Sequence, residues 1–422
     1  MDSTHDNSAA LLQGLRVLEL ATWVAAPTIG GILAEYGADV IHIEDPERGD
    51  SYRVPAQLWR KSSGSDQINP SWEVHNRNKR SLALSLRKDE GREIFRRMAA
   101  GADVFITNLL PESQQRLRID SSSLSALHPR LIHVSVTGWG SAGPASQSRA
   151  FDVTGFWAAS GMMSLLGDRE SPPTLVRPGM GDRVTGLAAT AALGLALYSR
   201  ERTGKGHAIE VSLMHTGMWA IGSDMQRAAL YGDPGVKHSR KDAPAPLLNC
   251  YATKGGGWLV LLIADDDWPE FCACMGMPDL AADARFDTPE KRTANNQELI
   301  RILDSIFVQL DRAEWEQRLS AASMTYAPAL SAVEAANHPQ ALANGFFIDA
   351  HHDAVGSYRA LTFPMRFVGA APQFRGQAPG HGEQSREILG ELGFDAQAMD
   401  RLHESGVVRL PTKPERKDWS RT

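Results

Sequence analysis

One carboxylate stands at a glycine-flanked bend, in Arg177-Pro-Gly-Met-Gly-Asp182-Arg-Val-Thr-Gly186. A long apolar segment follows, from Val184 through Leu197 to Arg200-Glu-Arg-Thr-Gly-Lys-Gly206, and reads as a buried helix stopped by glycine. Asp182 therefore has two readings. It can cap the orphan amides of the first helical turn. It can also be a catalytic carboxylate, since glycine on either side lets a bulky partner approach closely.

Other groups that could do chemistry read more plainly. Asp265-Asp-Asp267 looks like a metal cluster, but Trp268-Pro-Glu follows at once, so the run reads as a helix N-terminus with acidic residues on the positive dipole end. Lys254-Gly-Gly-Gly257 could cradle phosphate on its amides, yet it lies between two apolar runs and reads as a hairpin turn. His42 falls in a strand pattern and His215 in an apolar helix, where histidines are satisfied core groups. His351-His352 has no nearby carboxylate or cysteine from which to draw a ligand set. Cys250, Cys272 and Cys274 lack the spacing of a disulfide scaffold or a zinc site. Basic residues are more suggestive. Asn76-Arg-Asn-Lys-Arg80, Arg87-Lys88, Arg116, Arg118 and Arg149 gather in the first part of the chain. They read either as scattered solvated charges or as a patch for a polyanion such as a nucleotide phosphate.

The elements that must position these groups alternate between strand and helix. Residues 15–20 read as a strand, 27–36 as a helix opened by Pro27, and 38–44 as a second strand. Further strands are expected at 103–107 and 131–136, with a helix at 88–99. This pattern predicts a doubly wound α/β sheet. A dinucleotide site does not follow, because Ala21-Thr-Trp-Val-Ala-Ala-Pro27 lacks G-x-G-x-x-G; Gly30-Gly31 reads as a close-packing site in the helix. Composition changes near residue 232, where Gly232–Pro246 is rich in turn formers and reads as a linker or active-site loop. Beyond it, a strand pair (249–253 and 257–263) and helices near 267–276, 288–309 and 312–321 predict a smaller α+β unit. The domain reading is therefore 1–225 for the first part of a large domain, 226–327 for the small one, and 328–422 for the return, with 358–368 extended and helices at 383–392 and 396–403.

The chain has 422 residues, 42% of them hydrophobic, which suffices for more than one core. A net charge of −6 gives no global attraction to nucleic acid. Met1-Asp-Ser-Thr-His-Asp6 carries no signal pattern, and no apolar run reaches the ~18 residues that a membrane span needs. A cytoplasmic enzyme is expected.

Taken in order, many segments resemble the class III coenzyme A transferases, the family of formyl-CoA transferase and crotonobetainyl-CoA:carnitine CoA-transferase. They include Leu15-Arg-Val-Leu-Glu-Leu20, Ala25-Ala-Pro27, Gly37-Ala-Asp-Val-Ile-His-Ile-Glu44, Gly49-Asp50, Asn78-Lys-Arg-Ser81, Thr107-Asn108 with Pro111, Val134-Ser-Val-Thr-Gly138, Gly161-Met-Met-Ser164 and Ala378-Pro-Gly-His-Gly-Glu383. The resemblance runs nearly end to end. It implies a Rossmann-like large domain from both chain ends, a small α+β domain and an interlocked homodimer. It places the family's nucleophile on Asp182 and a second acidic residue on Asp152. Coenzyme A-binding positions fall on Arg87, Asn108, Leu109, Leu110, Arg116 and Arg149, with Ala25 near the thioester. Coenzyme A is then a substrate, carried in by an acyl-CoA donor and taken by a carboxylic acid acceptor, and no bound cofactor or metal is implied.

The chain also departs from the pattern. A glutamine of some members is Val24 here, and Ser239–Pro246 stands in place of a glycine-rich loop, which counts against formyl-CoA:oxalate exchange. Two alternatives remain at this stage. An α-methylacyl-CoA racemase-like enzyme needs a histidine just before Asp152, where this chain has Phe151. A non-catalytic acyl-CoA-binding homologue would have little use for Asp182 and its glycines. Trp23, Trp139, Trp157 and Trp219 lie near the motif segments, where they could pack a core or line a pocket for an aryl acid or a quaternary ammonium.

Overall fold

The structure is a computed structural model that describes residues 10–53 and 68–411. The polar N-terminus and the extreme ends of the outer segments lie outside the described residues. The chain groups into two compact units. One takes the chain up to Met162, Val176–Gln226 and Asn344 onward; the other takes Met163–Leu175 and Arg227–Ala343.

The larger unit is wound on β1 (Arg16–Leu20), α1 (Ala25–Glu35), β2 (Asp39–Glu44), α2 (Pro70–Asn76), β3 (Arg80–Ala83), α3 (Asp89–Ala99) and β4 (Val104–Thr107). It continues through α4 (Pro111–Leu117), α5 (Ser121–Leu127) and β5 (Ile132–Thr137), and, after α6 (Met162–Leu165), which falls almost wholly in the smaller unit, through α7 (Met180–Thr203) and β6 (Ala208–Ser212). The six strands pair in parallel in the order β3-β2-β1-β4-β5-β6. This is the doubly wound order, in which successive strands are laid down outward in one direction from β1 and in the other from β4, the strands themselves staying parallel. Strands buried on both faces account for the apolar runs in β1, β2 and β4. β3 and β6 form the two edges.

One face packs Leu18, Ile41 and Phe105 against Phe95 and Met98 of α3 and against Ile388, Leu389 and Val408 near the C-terminus. The closing helices Ser385–Glu391 and Ala396–Glu404 thus belong to the same body as the N-terminal strands. The expected strand at 358–368 ends early. Gly356–Leu361 pairs antiparallel with Phe347–His352, a hairpin that the periodicity did not predict.

In the smaller unit, β7 (Leu248–Ala252) and β8 (Trp258–Leu262) form the expected hairpin, closed by Thr253 N–H donating to Gly257 O at 2.8 Å. β9 (Tyr326–Pro328) adds to β8, and Tyr251, Phe271, Phe307 and Trp315 fill the core. The return to the larger unit was expected at 328 and falls after Ala343. Pairing of β9 and the Arg312–Glu334 ion pair keep this stretch with the smaller unit. The long helix expected at 288–309 is two helices, Pro289–Ala294 and Asn296–Phe307, broken at Asn295. Asp265 pairs with Arg292, and Asp267 takes the N-cap position of the next helix without a side-chain cap bond. Among the described residues no cluster of His, Cys, Asp or Glu could hold a metal, and no helix is long and apolar enough to cross a membrane.

The other face of the sheet holds charge. Lys79 Nζ donates to Glu19 Oε1 and Oε2 (2.7 and 3.0 Å), to Pro27 O (2.9 Å) and to Asn76 Oδ1 (3.0 Å). His42 Nδ1 lies 2.8 Å from Glu19 Oε1. All these side chains are buried. A Cβ on Gly30 would fall 2.0 Å from Glu19 Oε2, so only glycine lets α1 pass over the carboxylate. The run 76–80, which reads in the sequence as ligand-facing charge, is largely spent inside the fold. Arg77 pairs with Glu35, Lys79 with Glu19, and Arg80 with Asp39, Glu387 and Glu391. Removing one partner of a buried pair leaves the other uncompensated. Lys79→Met should therefore lower stability by about 3–5 kcal/mol in urea titration; a loss below about 1 kcal/mol would contradict the burial of this network.

Candidate active site

The helix holding Asp182 starts unusually. Gly179 is its N-cap residue, at φ +91, and supplies no side chain to cap the first turn. Asp182 does not cap it either. Asp152 does so from outside the helix. Its Oδ2 accepts from Gly179 N–H at 2.7 Å and from Trp157 Nε1–H at 3.3 Å, and its Oδ1 accepts from Asp182 N–H at 3.0 Å. Asp152 opens a π-helical stretch, Val153–Ala158, that turns Phe156 and Trp157 inward. A Cβ on Gly181 would fall 2.2 Å from Phe156 Cγ and 2.5 Å from Asp152 Oδ1. A Cβ on Gly186 would fall 2.6 Å from Thr28 Cβ and 2.8 Å from Ala25 O. The glycines do permit close approach, but the partners are Asp152, Phe156 and helix α1. They let the chain pack tightly around the carboxylate.

With capping assigned to Asp152, the Asp182 carboxylate accepts no hydrogen bond among the described residues. It is half-buried. Burial first, and then the Asp152 charge, push its pKa up to about 7, with Arg183 partly offsetting both. Burial also raises Asp152, but the amides of Gly179 and Asp182 and the Trp157 indole oppose that rise. Asp152 is thus the better-solvated member of the pair, in the sense of protein dipoles, and Asp182 is the one that protonates near neutrality. Amides at this helix start are engaged by Asp152, so those of Gly179 and Asp182 are not open to a ligand oxyanion.

The remaining sequence candidates lie in segments that follow the carboxyl ends of the sheet strands, the edge where doubly wound folds bind ligands. Ala25 opens α1 after β1, Arg87 follows β3, Asn108, Leu109 and Leu110 follow β4, Arg116 lies on α4, and Arg149 lies in the loop after β5. Arg87, Arg116 and Arg149 are exposed. Asn108 marks the switch point itself. Its Oδ1 accepts from Thr22 N–H at 3.1 Å and its Nδ2 donates to Thr22 O at 2.7 Å, joining the loop after β4 to the loop after β1. Leu109 N–H donates to Thr107 Oγ1, and Leu110 is the N-cap residue of α4, without a side-chain cap bond. Residues 239–246 belong to the smaller unit, where Arg240 pairs with Asp304.

Tyr52 and His75 beside this edge escape sequence reasoning, as does the reach of Asp50. Asp50 Oδ1 accepts from Tyr52 N–H (2.8 Å) and Trp23 N–H (3.3 Å), while its Oδ2 lies 3.6 Å from His42 Nε2. Burial raises the Tyr52 hydroxyl, on which the charges of Arg183 and Asp182 also act. Burial pushes His75 down to about 3, so it stays neutral beside Tyr52. Trp23 adopts φ +69, a left-handed conformation that costs a bulky residue energy and is held by these flanking bonds. The segment Gly49-Asp50 was a recognisable motif, but nothing local announces that its carboxylate reaches the loop after β1.

Residues 12–385 match the family described as CoA-transferase family III. The chain is 30% identical to the (R)-2-hydroxy-4-methylpentanoate CoA-transferase of Clostridioides difficile, over 94% of this chain and 100% of that protein. It is 30% identical to the cinnamoyl-CoA:phenyllactate CoA-transferase of Clostridium sporogenes, over 96% and 99%. The crystal structure of a CAIB/BAIF family protein from Brucella suis superposes with a TM-score of 0.80 at 29% identity, covering 91% of this chain and 100% of that one. The chain belongs to CoA-transferase family III and is an enzyme of that class.

The raised pKa of Asp182 has a consequence for stability. Between the ordinary carboxyl range and about 7, the folded state holds a proton that the unfolded state has lost, so stability falls as pH rises through that window. Asp182→Asn should therefore raise the melting temperature at pH 8 and converge with wild type near pH 4. An equal shift at both pH values would mean that Asp182 titrates normally.

Proposed function

We propose that this enzyme moves coenzyme A from an acyl-CoA donor to a carboxylic acid acceptor, with Asp182 as the covalent relay. The observation that supports this reading is a half-buried carboxylate that accepts no hydrogen bond among the described residues, Asp152 having taken over the helix cap. A carboxylate so placed is poorly solvated and hence a better nucleophile than one in water.

The reaction runs in four balanced steps. An Asp182 oxygen attacks the donor thioester carbonyl, the C–S bond breaks, and coenzyme A leaves as thiolate, giving a mixed anhydride. The thiolate attacks Asp182 Cγ and expels the donor carboxylate, giving an aspartyl-CoA thioester. The acceptor carboxylate attacks that Cγ and expels the thiolate, giving a second anhydride. The thiolate then attacks the acceptor acyl carbon, releasing new acyl-CoA and the Asp182 carboxylate. No proton enters or leaves, and the energy of the thioester is conserved. Asp152 acts as a positioning residue that fixes the start of α7. In this reading Arg87, Arg116 and Arg149 meet the phosphates of coenzyme A, while Asn108, Leu109, Leu110 and Ala25 shape the channel toward the thioester. Coenzyme A is a substrate throughout.

The reading extends to a cytoplasmic homodimer. Leu195 and Tyr198 on α7 are 75% and 65% exposed, and Trp219 on α8 (Leu213–Ala220) is 80% exposed. A surface this apolar is suited to burial against a second copy. Sedimentation at micromolar concentration should show a dimer with no monomer.

Asp182→Ala should abolish acyl-CoA:acid exchange while the dimer stays folded; undiminished exchange by that variant would sink the assignment. Wild-type transfer should also fall as pH drops through about 7, because protonated Asp182 cannot attack. A rate that is flat down to pH 5 would place the attacking group elsewhere.

A further inference from the structure

The acid that reaches Asp182 must pass the walls of this chain's own site. Phe151 immediately precedes Asp152, whose carboxylate receives the Asp182 amide. Its ring meets Trp23 edge-on, with centroids 5.4 Å apart and planes at 84°. Trp23 in turn meets Tyr52 at 5.9 Å, and the Tyr52 hydroxyl is within electrostatic reach of Asp182 and Arg183. Phe151 is 53% exposed and Trp23 is 39% exposed. Two large apolar rings thus stand open beside the carboxylate pair, instead of closing a core. Trp23 is also held there in a left-handed conformation by the Asn108–Thr22 clamp and by Asp50. Strain of this kind persists where the surroundings enforce it, and it gathers at ligand sites.

Charge narrows the choice of ligand. An aromatic wall can receive an aryl group, a branched alkyl group or a quaternary ammonium. Arg183 directly follows Asp182 and acts electrostatically on both Asp182 and Tyr52. This cation draws in a carboxylate and opposes a fixed positive charge on its side chain. A second carboxylate on the acid would be desolvated against these carbon rings. We infer that Trp23 and Phe151 form the specificity wall of the acid subsite and select a monocarboxylic acid with an aryl or branched apolar side chain.

This inference rests on Asp182 being the covalent relay, and its test separates the two. Wild type is first incubated with acetyl-CoA, succinyl-CoA and 3-phenylpropanoyl-CoA, and Asp182 is examined for a hydroxylamine-trapped adduct. An adduct from any donor upholds the relay; none from all three removes the relay and the inference with it. Acceptors are then compared by kcat/KM: 3-phenylpropanoate, 4-methylpentanoate, acetate, succinate and a trimethylammonium acid. The two apolar acids should lead the others by about tenfold or more, the scale on which an apolar pocket discriminates. Phe151→Ala and Trp23→Gly, the latter a residue that accepts φ +69 without strain, should each reduce the ratio of 3-phenylpropanoate to acetate by about tenfold, chiefly through KM. Trapping at Asp182 together with a preference for succinate or the trimethylammonium acid would overturn the wall while leaving the relay intact. So would variants that slow every acid equally.

Discussion

Two carboxylates share one helix end, and the site follows from how they divide it. A helix N-terminus offers unsatisfied amides and a positive dipole end, so an anion there is stabilised. Asp152 occupies that place from another segment, through Gly179 N–H and Asp182 N–H. Asp182, three residues into the same helix start, is left with a like charge beside it and, among the described residues, no hydrogen-bond donor. Burial first, and then that like charge, raise its pKa. The tight glycines at 179, 181 and 186 serve the same end, since each admits a neighbour that a Cβ would exclude or a backbone turn that a Cβ would strain.

The sheet brings the rest to this point. In the order β3-β2-β1-β4-β5-β6, the loops after β1 and β4 part company, and folds of this order bind ligands in the crevice at that point. Asn108 spans it to Thr22, and Asp50 steadies the next residue, Trp23. Asp50 itself stands against His42, which leans on Glu19 and so on Lys79. The buried charges under the sheet and the loop at the site are therefore one connected assembly, from the strand interior to the strained turn.

The parts of this arrangement that were legible in the sequence are the parts encoded locally. The β1-α1-β2 unit follows from apolar runs at strand and helix length, and the end of α7 at Gly204 follows from its glycine. Asp182 was singled out by the glycines around it. The edge strands were missed because they look polar. β3 begins Arg80-Ser81, whose side chains bond Asp39 and Glu44, and β6 alternates with partial exposure. The role of Asp152 was hidden because its partner is 30 residues away. For the same reason, the basic run 76–80 resembled a ligand patch. Its counter-ions, Glu35, Glu19 and Asp39, come from other elements and meet it only on folding.

The central claim is that Asp182 is covalently engaged in every turnover, and oxygen tracing addresses it most directly. Transfer would be run with an acceptor acid whose carboxylate carries heavy oxygen, followed by proteolysis and mass spectrometry of the peptide containing Asp182. In the anhydride route the bridging oxygen comes from the acceptor and stays with the aspartate when the thiolate takes the acyl group. The account predicts heavy oxygen in the Asp182 carboxylate after a single turnover. Product formed with heavy oxygen absent from Asp182 would contradict it.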